Sequence, residues 1–123
     1  MKKLSSKSMS EAELQQNIID LARVLGYKAA HFRGVRVQRK DGSVYYQTPV
    51  QADGAGFPDL VLAKEGRTIY VECKSEHGQV SPEQAEWLGV LAGLQVYVWR
   101  PEDWFNGHIE NVLMGKVEEN GLG

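Results

Sequence analysis

Gly56-Phe57-Pro58-Asp59-Leu60-Val61-Leu62-Ala63, followed across the turn Lys64-Glu65-Gly66-Arg67 by Thr68-Ile69-Tyr70-Val71-Glu72-Cys73-Lys74, is the stretch that decides the fold. Small residues and breakers from Gln51 to Pro58 mark a loop, and the apolar run Asp59 to Ala63 behind it reads as a buried strand. The β-branched and aromatic residues from Thr68 to Lys74 make a second strand, joined to the first tightly enough for an antiparallel hairpin. Side chains alternate along a strand, so Glu72 and Lys74 share one face and Cys73 takes the other. In such a hairpin the start of the first strand lies beside the end of the second. Asp59, Glu72 and Lys74 then converge at one edge of the sheet.

Downstream, Ser81-Pro82-Glu83-Gln84 opens a helix with a capping serine, proline at the first helical position and glutamine three residues after the cap. That helix should end near Gly93. Gln95 to Trp99 is a strand, reached by a crossover long enough for parallel pairing with Thr68 to Lys74. Pro101 begins a last helix or turn holding Trp104, Phe105, Ile109 and Leu113. Upstream, Ser10 can cap a helix running to about Leu25, with Leu14, Ile18, Leu21 and Leu25 as its core stripe. Lys28 to Phe32, Val35 to Gln38 and Val44 to Gln47 are short strands, the last two joined by a turn at Asp41-Gly42. The fold class is α/β, a mixed sheet flanked by helices in the order α-β-β-β-α-β. Residues 10–115 form the expected domain, with an arm or tag at 1–9 and a loose tail at 116–123. Trp87, Trp99 and Trp104 are expected in the core.

A chain of 123 residues with 42% hydrophobic and 24% charged residues fits one globular domain. No apolar run approaches the roughly 20 residues that cross a bilayer. The single cysteine, Cys73, excludes an internal disulfide and a multi-cysteine zinc cage, and suits a reducing cytoplasm. His31, His77 and His108 lack metal-ligand spacing. The net charge of −2 says nothing in favour of nucleic acid, but Lys28, Arg33, Arg36, Arg39 and Lys40 cluster with no acid among them. Such a block can neutralise several phosphates, or serve as the solvated face of a hairpin.

Carboxylate oxygens are the ligands that Mg²⁺ or Mn²⁺ prefers, and one or two acids with waters and a substrate phosphate hold such an ion. Asp59 and Glu72 could do so, with Lys74 orienting a water or stabilising charge at phosphorus. The alternative is a strand-end ion pair of Glu72 and Lys74, worth about 0–1 kcal/mol and without functional meaning. A further acid is nominated by helix geometry. Glu11 sits roughly 50° from the centre of the apolar stripe and can look toward the sheet, whereas Glu13 falls nearly opposite. Gln15 lies one turn after Glu11. Gln84 has two open roles, closing a capping box with Ser81 or facing the acids.

Asp59 preceded by proline, then Glu72-Cys73-Lys74, resembles the PD-(D/E)xK nuclease superfamily. The fuller string, with Gly56-Phe57-Pro58 before it, Gly78 and Ser81-Pro82-Glu83-Gln84 after it, and Glu11 and Gln15 ahead, is similar to its VRR-NUC branch. The likeness runs from about Ser10 to Arg100. It implies a restriction-endonuclease-like fold, Asp59 and Glu72 as metal ligands together with Glu11 and the Cys73 backbone carbonyl, Lys74 as catalytic lysine, and Gln84 as the polar residue of the helix that follows. It also implies an endonuclease using Mg²⁺ or Mn²⁺ on DNA, with small stand-alone members resembling Holliday-junction resolvases, often homodimers from phages or bacteria. Arg33, Arg36, Arg39 and Lys40 are then the candidate DNA contacts. A catalytically inactive nucleic-acid-binding module of the same fold, or a partner-binding α/β domain, are the alternatives.

Overall fold

The computed structural model describes residues 9–32, 35–47 and 51–116, without the side chains of Val35, Arg36, Tyr46 and Gln47. The expected arm and tail therefore lie almost wholly outside the described residues. The elements are α1 (Glu11–Val24), β1 (Lys28–His31), β2 (Val35–Gln38), β3 (Val44–Gln47), β4 (Leu60–Lys64), β5 (Arg67–Cys73), α2 (Pro82–Val90), β6 (Gln95–Trp99), α3 (Pro101–Phe105) and α4 (His108–Leu113).

β1, β4, β5 and β6 form one sheet in that spatial order. β4 pairs antiparallel with both β1 and β5, while β5 and β6 run parallel across the α2 crossover. Leaving aside β2 and β3, which make a separate two-stranded hairpin, the sheet and its helices follow the expected order α-β-β-β-α-β. The β2–β3 turn is closed by Asp41, whose Oδ1 accepts from the Ser43 N–H at 2.9 Å and the Ser43 hydroxyl at 2.7 Å. Gly42 supplies the positive φ of 92° that the turn needs.

One face of the sheet carries Leu60, Leu62, Ile69, Val71 and Cys73, buried against α1 and α4. α1 meets it with Leu14, Ile18, Ile19 and Ala22, whereas Leu21 and Leu25 are only partly buried. The buried row is thus the 14-18-22 ridge. The end of α1 overhangs the sheet margin, where Lys64 Nζ donates to the Leu25 carbonyl at 2.6 Å. Far from the acids, Arg67 ties the layers together by donating to Tyr27 Oη (2.7 Å), Val112 O (2.8 Å) and Gln95 Oε1 (3.0 Å). Tyr27 Oη donates in turn to Leu113 O at 2.8 Å.

α2 covers the other face only in part, and none of its residues is buried. This corrects the placement of Trp87, which is half-exposed and donates from Nε1 to the Asp53 carbonyl at 2.9 Å. Trp99 is buried and Trp104 packs on the core, as expected. Phe57 anchors the loop before β4, its ring edge-on to Trp87 (4.9 Å), Phe32 (5.4 Å) and Tyr70 (6.2 Å). Gly56, at φ 82°, lies so close to the first turn of α2 that a Cβ there would stand 2.5 Å from the Glu83 carbonyl carbon. The loop that delivers Asp59 is therefore wedged against the helix that carries Gln84.

Candidate active site

Asp59 is the residue just before β4, and Glu72 and Cys73 end β5. Because the last β4–β5 pair is Leu60 with Val71, Asp59 stands beside Glu72 one step beyond the ladder. Its Oδ2 accepts from the Cys73 N–H at 2.9 Å. Lys74 N–H instead donates to Trp99 O at 2.9 Å, toward β6. A strand residue's own N–H and C=O point to the same side, so the Cys73 carbonyl is directed toward Asp59.

Glu72 is the only charged residue in the buried interior among the described residues, at 2% exposure. Its Oε2 accepts from Gln84 Nε2 at 2.7 Å and lies 3.8 Å from Lys74 Nζ. Its Oε1 is buried with no hydrogen-bond partner. Gln84 fills both of its open roles at once, because its Oε1 also accepts from the Ser81 N–H at 2.8 Å in a complete capping box. α2 thus holds Gln84 in place through its own N-cap and spends the free amide on Glu72.

On α1 the two first-turn acids separate as helix geometry requires. Glu13 closes the Ser10 capping box, accepting from the Ser10 N–H at 2.8 Å, and its hydrogen bonds to Ser10 hold its carboxyl below the usual range. Glu11 is half-buried and turned to the sheet, where its charge is felt by Asp59 and Lys74 and the Ser75 backbone N–H favours its charged form. Gln15, one turn on, lies near enough to Asp59 to favour its charged form. Its place beside Glu11 is plain from spacing, but its approach to a residue 44 positions away leaves no trace in the sequence.

The structure therefore brings Glu11, Asp59, Glu72, Lys74 and Gln84 to one end of the sheet. The electrostatics are unfavourable for so many acids. Burial, then the Asp59 charge, push the Glu72 carboxyl up to about 8, with Lys74 pulling the other way. Burial also raises Asp59, opposed by the bond from Cys73, by Gln15 and by Lys74, and burial with Asp59 raises Glu11. The Cys73 thiol, fully buried and among the acids, is raised too, which makes it a packing residue and no nucleophile.

Three desolvated carboxyls and one orphaned carboxylate oxygen fit a divalent cation, which would supply the positive charge that Lys74 alone does not. Among the described residues no three His, Cys, Asp or Glu side chains stand close enough to cage an ion by themselves. The fit is to an open site of the magnesium type, completed by water, a carbonyl or a phosphate. Among the described residues, two open clefts lie at the opposite end of the sheet, around Arg67 and the β4–β5 turn, away from these acids.

Of the candidate DNA contacts, Arg33 lies outside the described residues, as does the side chain of Arg36. Arg39 and Lys40 are exposed at the hairpin turn, remote in sequence from the acids. The Arg39 guanidinium lies 4.1 Å from the centre of the Tyr45 ring. Among the described residues no helix is long and apolar enough to cross a membrane.

No curated protein and no solved structure matches the chain. The VRR-NUC domain does, over residues 9–100, a span that opens just before α1 and closes just after β6 and so takes in every residue of the acidic site. The chain belongs to the VRR-NUC family, a nuclease family of restriction-endonuclease-like fold.

Proposed function

We propose that the protein is a metal-dependent DNA endonuclease that hydrolyses phosphodiester bonds, with structure-specific, Holliday-junction-resolvase-like activity. The observation that carries this reading is the buried Glu72, with one oxygen orphaned and the other tied to Gln84, beside Asp59, Glu11 and Lys74. Asp59 and Glu72 would hold Mg²⁺ or Mn²⁺, with the Cys73 carbonyl and Glu11 completing the protein's share of ligands. The ion, when bound, polarises the scissile phosphate and lowers the pKa of a water.

The rest of the chemistry falls to the chain. Gln84 fixes the Glu72 carboxylate by its Oε2 and leaves Oε1 available to a ligand. The Cys73 N–H holds Asp59 by its Oδ2, with Gln15 close by. Lys74, with its side chain 12% exposed, keeps a charged donor at the rim, where it can orient the attacking water or meet the negative charge that grows on the phosphoryl oxygens. Arg33, Arg36, Arg39 and Lys40 would bind the DNA backbone through the hairpin. Symmetric cutting of a four-way junction needs two sites related by a two-fold axis, and one such domain offers one, so the working unit is a homodimer.

The test is incubation with four-way junction, flap, linear duplex and single-stranded DNA in Mg²⁺ or Mn²⁺, repeated with chelator. The expected result is metal-dependent nicking, strongest on the junction and lost in Asp59→Ala and Lys74→Ala. Cleavage that survives both substitutions or the chelator would overturn the assignment. Binding without cleavage would favour the inactive module.

A further inference from the structure

We propose that Arg100 is a positioning residue, a clamp that sets Lys74 and Glu11 against Asp59 and Glu72 by gripping the segment that leaves β5. The role in catalysis rests on the nuclease reading above; the clamp itself rests on hydrogen bonds. β5 and β6 stay paired until Lys74 N–H donates to Trp99 O at 2.9 Å. There the backbone ladder ends, and Arg100, the residue after β6, takes over with its side chain. Arg100 Nη1 donates to Ser75 O and Gly78 O, both at 2.8 Å, with Glu76 O at 3.4 Å. The Arg100 N–H is itself held by Asp103 Oδ2 at 2.8 Å, at the start of α3.

What this segment touches gives the clamp its purpose. The Ser75 N–H lies near enough to the Glu11 carboxylate to favour its charged form. Gly78 packs closely on this segment, since a Cβ there would stand 2.9 Å from Ser75 Oγ and 3.5 Å from the Lys74 stem carbon Cδ. So the turn from Ser75 to Gly78 is folded back on Lys74 and set beside Glu11, and its carbonyls are gathered by one guanidinium. A charge-assisted bond to several carbonyls at once is strong and geometrically selective. Without it three carbonyls must find water, and the turn loses the contact that fixes its distance from β6. Displacing a reacting group by about 1 Å can cost roughly 100-fold in rate. Arg100 touches none of the acids, so it acts through Lys74 and Glu11 alone.

Arg67 provides the matched control. It also bonds side-chain and carbonyl oxygens across the sheet, but at the end far from the acids. On a DNA that the wild type cleaves, and well below each variant's Tm, Arg100→Ala should lower kcat by about 10- to 100-fold with KM changed less than about threefold. Free guanidinium should restore part of it. Arg67→Ala should lose Tm yet keep kcat within about threefold. Equal losses of kcat in the two variants, or an unchanged kcat in Arg100→Ala, would overturn the proposal. Amide hydrogen exchange gives a readout independent of activity: Ser75 and Gly78 should exchange at least about tenfold faster in Arg100→Ala while Val71 does not change. Unchanged exchange at Ser75 and Gly78 would overturn the clamp. Wild-type protein inert on every DNA would overturn the nuclease reading, and the exchange rates alone would then decide the clamp.

Discussion

Replacing Glu72 by glutamine should remove a pH dependence of stability that the metal-free protein owes to this one carboxyl. In the folded protein Glu72 is pushed up to about 8 from an ordinary 4.5, so between these values the folded state binds a proton that the unfolded chain has released. The contribution is therefore fully present below pH about 4.5 and is lost as pH rises through about 8. At about 1.4 kcal/mol per unit, the gap of 3.5 units (8 less 4.5) sets a ceiling of roughly 5 kcal/mol. That is a large part of the 5–15 kcal/mol typical of a domain. Glutamine keeps the bond to Gln84 through its own carbonyl but places an amide where Oε1 has no partner, a cost that is the same at every pH. The slope, not the level, is the readout. In chelator, urea or thermal unfolding from pH 5 to pH 9 should show wild-type stability falling by several kcal/mol relative to Glu72→Gln. Mn²⁺ should restore the wild type at pH 8 and leave the variant unmoved. Parallel stability curves for the two proteins would refute the reasoning.

Other consequences can be measured separately. Arg39→Ala and Lys40→Ala should each weaken junction binding and reduce the slope of log K against log salt by about 1, read by fluorescence anisotropy. Gly56→Ala combines a positive φ of 82° with a 2.5 Å overlap on the Glu83 backbone and should cost at least about 2 kcal/mol in urea unfolding. Tyr27→Phe leaves the Leu113 carbonyl and an Arg67 N–H without a partner, and should cost about 1–3 kcal/mol by the same assay with cleavage unchanged.

The parts of the fold that local rules govern were legible in the sequence. The capping serines at Ser10 and Ser81, the Asp41-Gly42 turn and the period-two strands around Asp59 and Glu72 are each decided within a few residues, and each is found where spacing puts it. The convergence of Asp59 with Glu72 and Lys74 follows from one hairpin, so it too was within reach. So was the divergence of Glu11 and Glu13, because residues two positions apart on a helix are rotated by about 200°. What escaped is long-range. Trp87 lies in a helix with no buried residue and packs on the loop at Phe57 and Asp53, and its apolar neighbours Val90 and Leu94 are exposed, so composition suggested a core that is not there. The approach of Gln15 to Asp59 and the bonds from Gln84 to Glu72 and from Arg100 to Ser75 and Gly78 join separate elements. No periodicity announces them, because a side chain's reach across an interface depends on how the elements pack.

The most direct test of the central claim, that these acids and Lys74 surround a divalent cation, is a crystal grown with Mn²⁺ and measured at the manganese absorption edge. The account predicts one anomalous peak at the end of β5, about 2.0–2.3 Å from oxygens of Asp59 and Glu72, with Oε1 of Glu72 among its ligands. Well-ordered acids with no peak between them, or a manganese ion seated elsewhere on the protein, would contradict it.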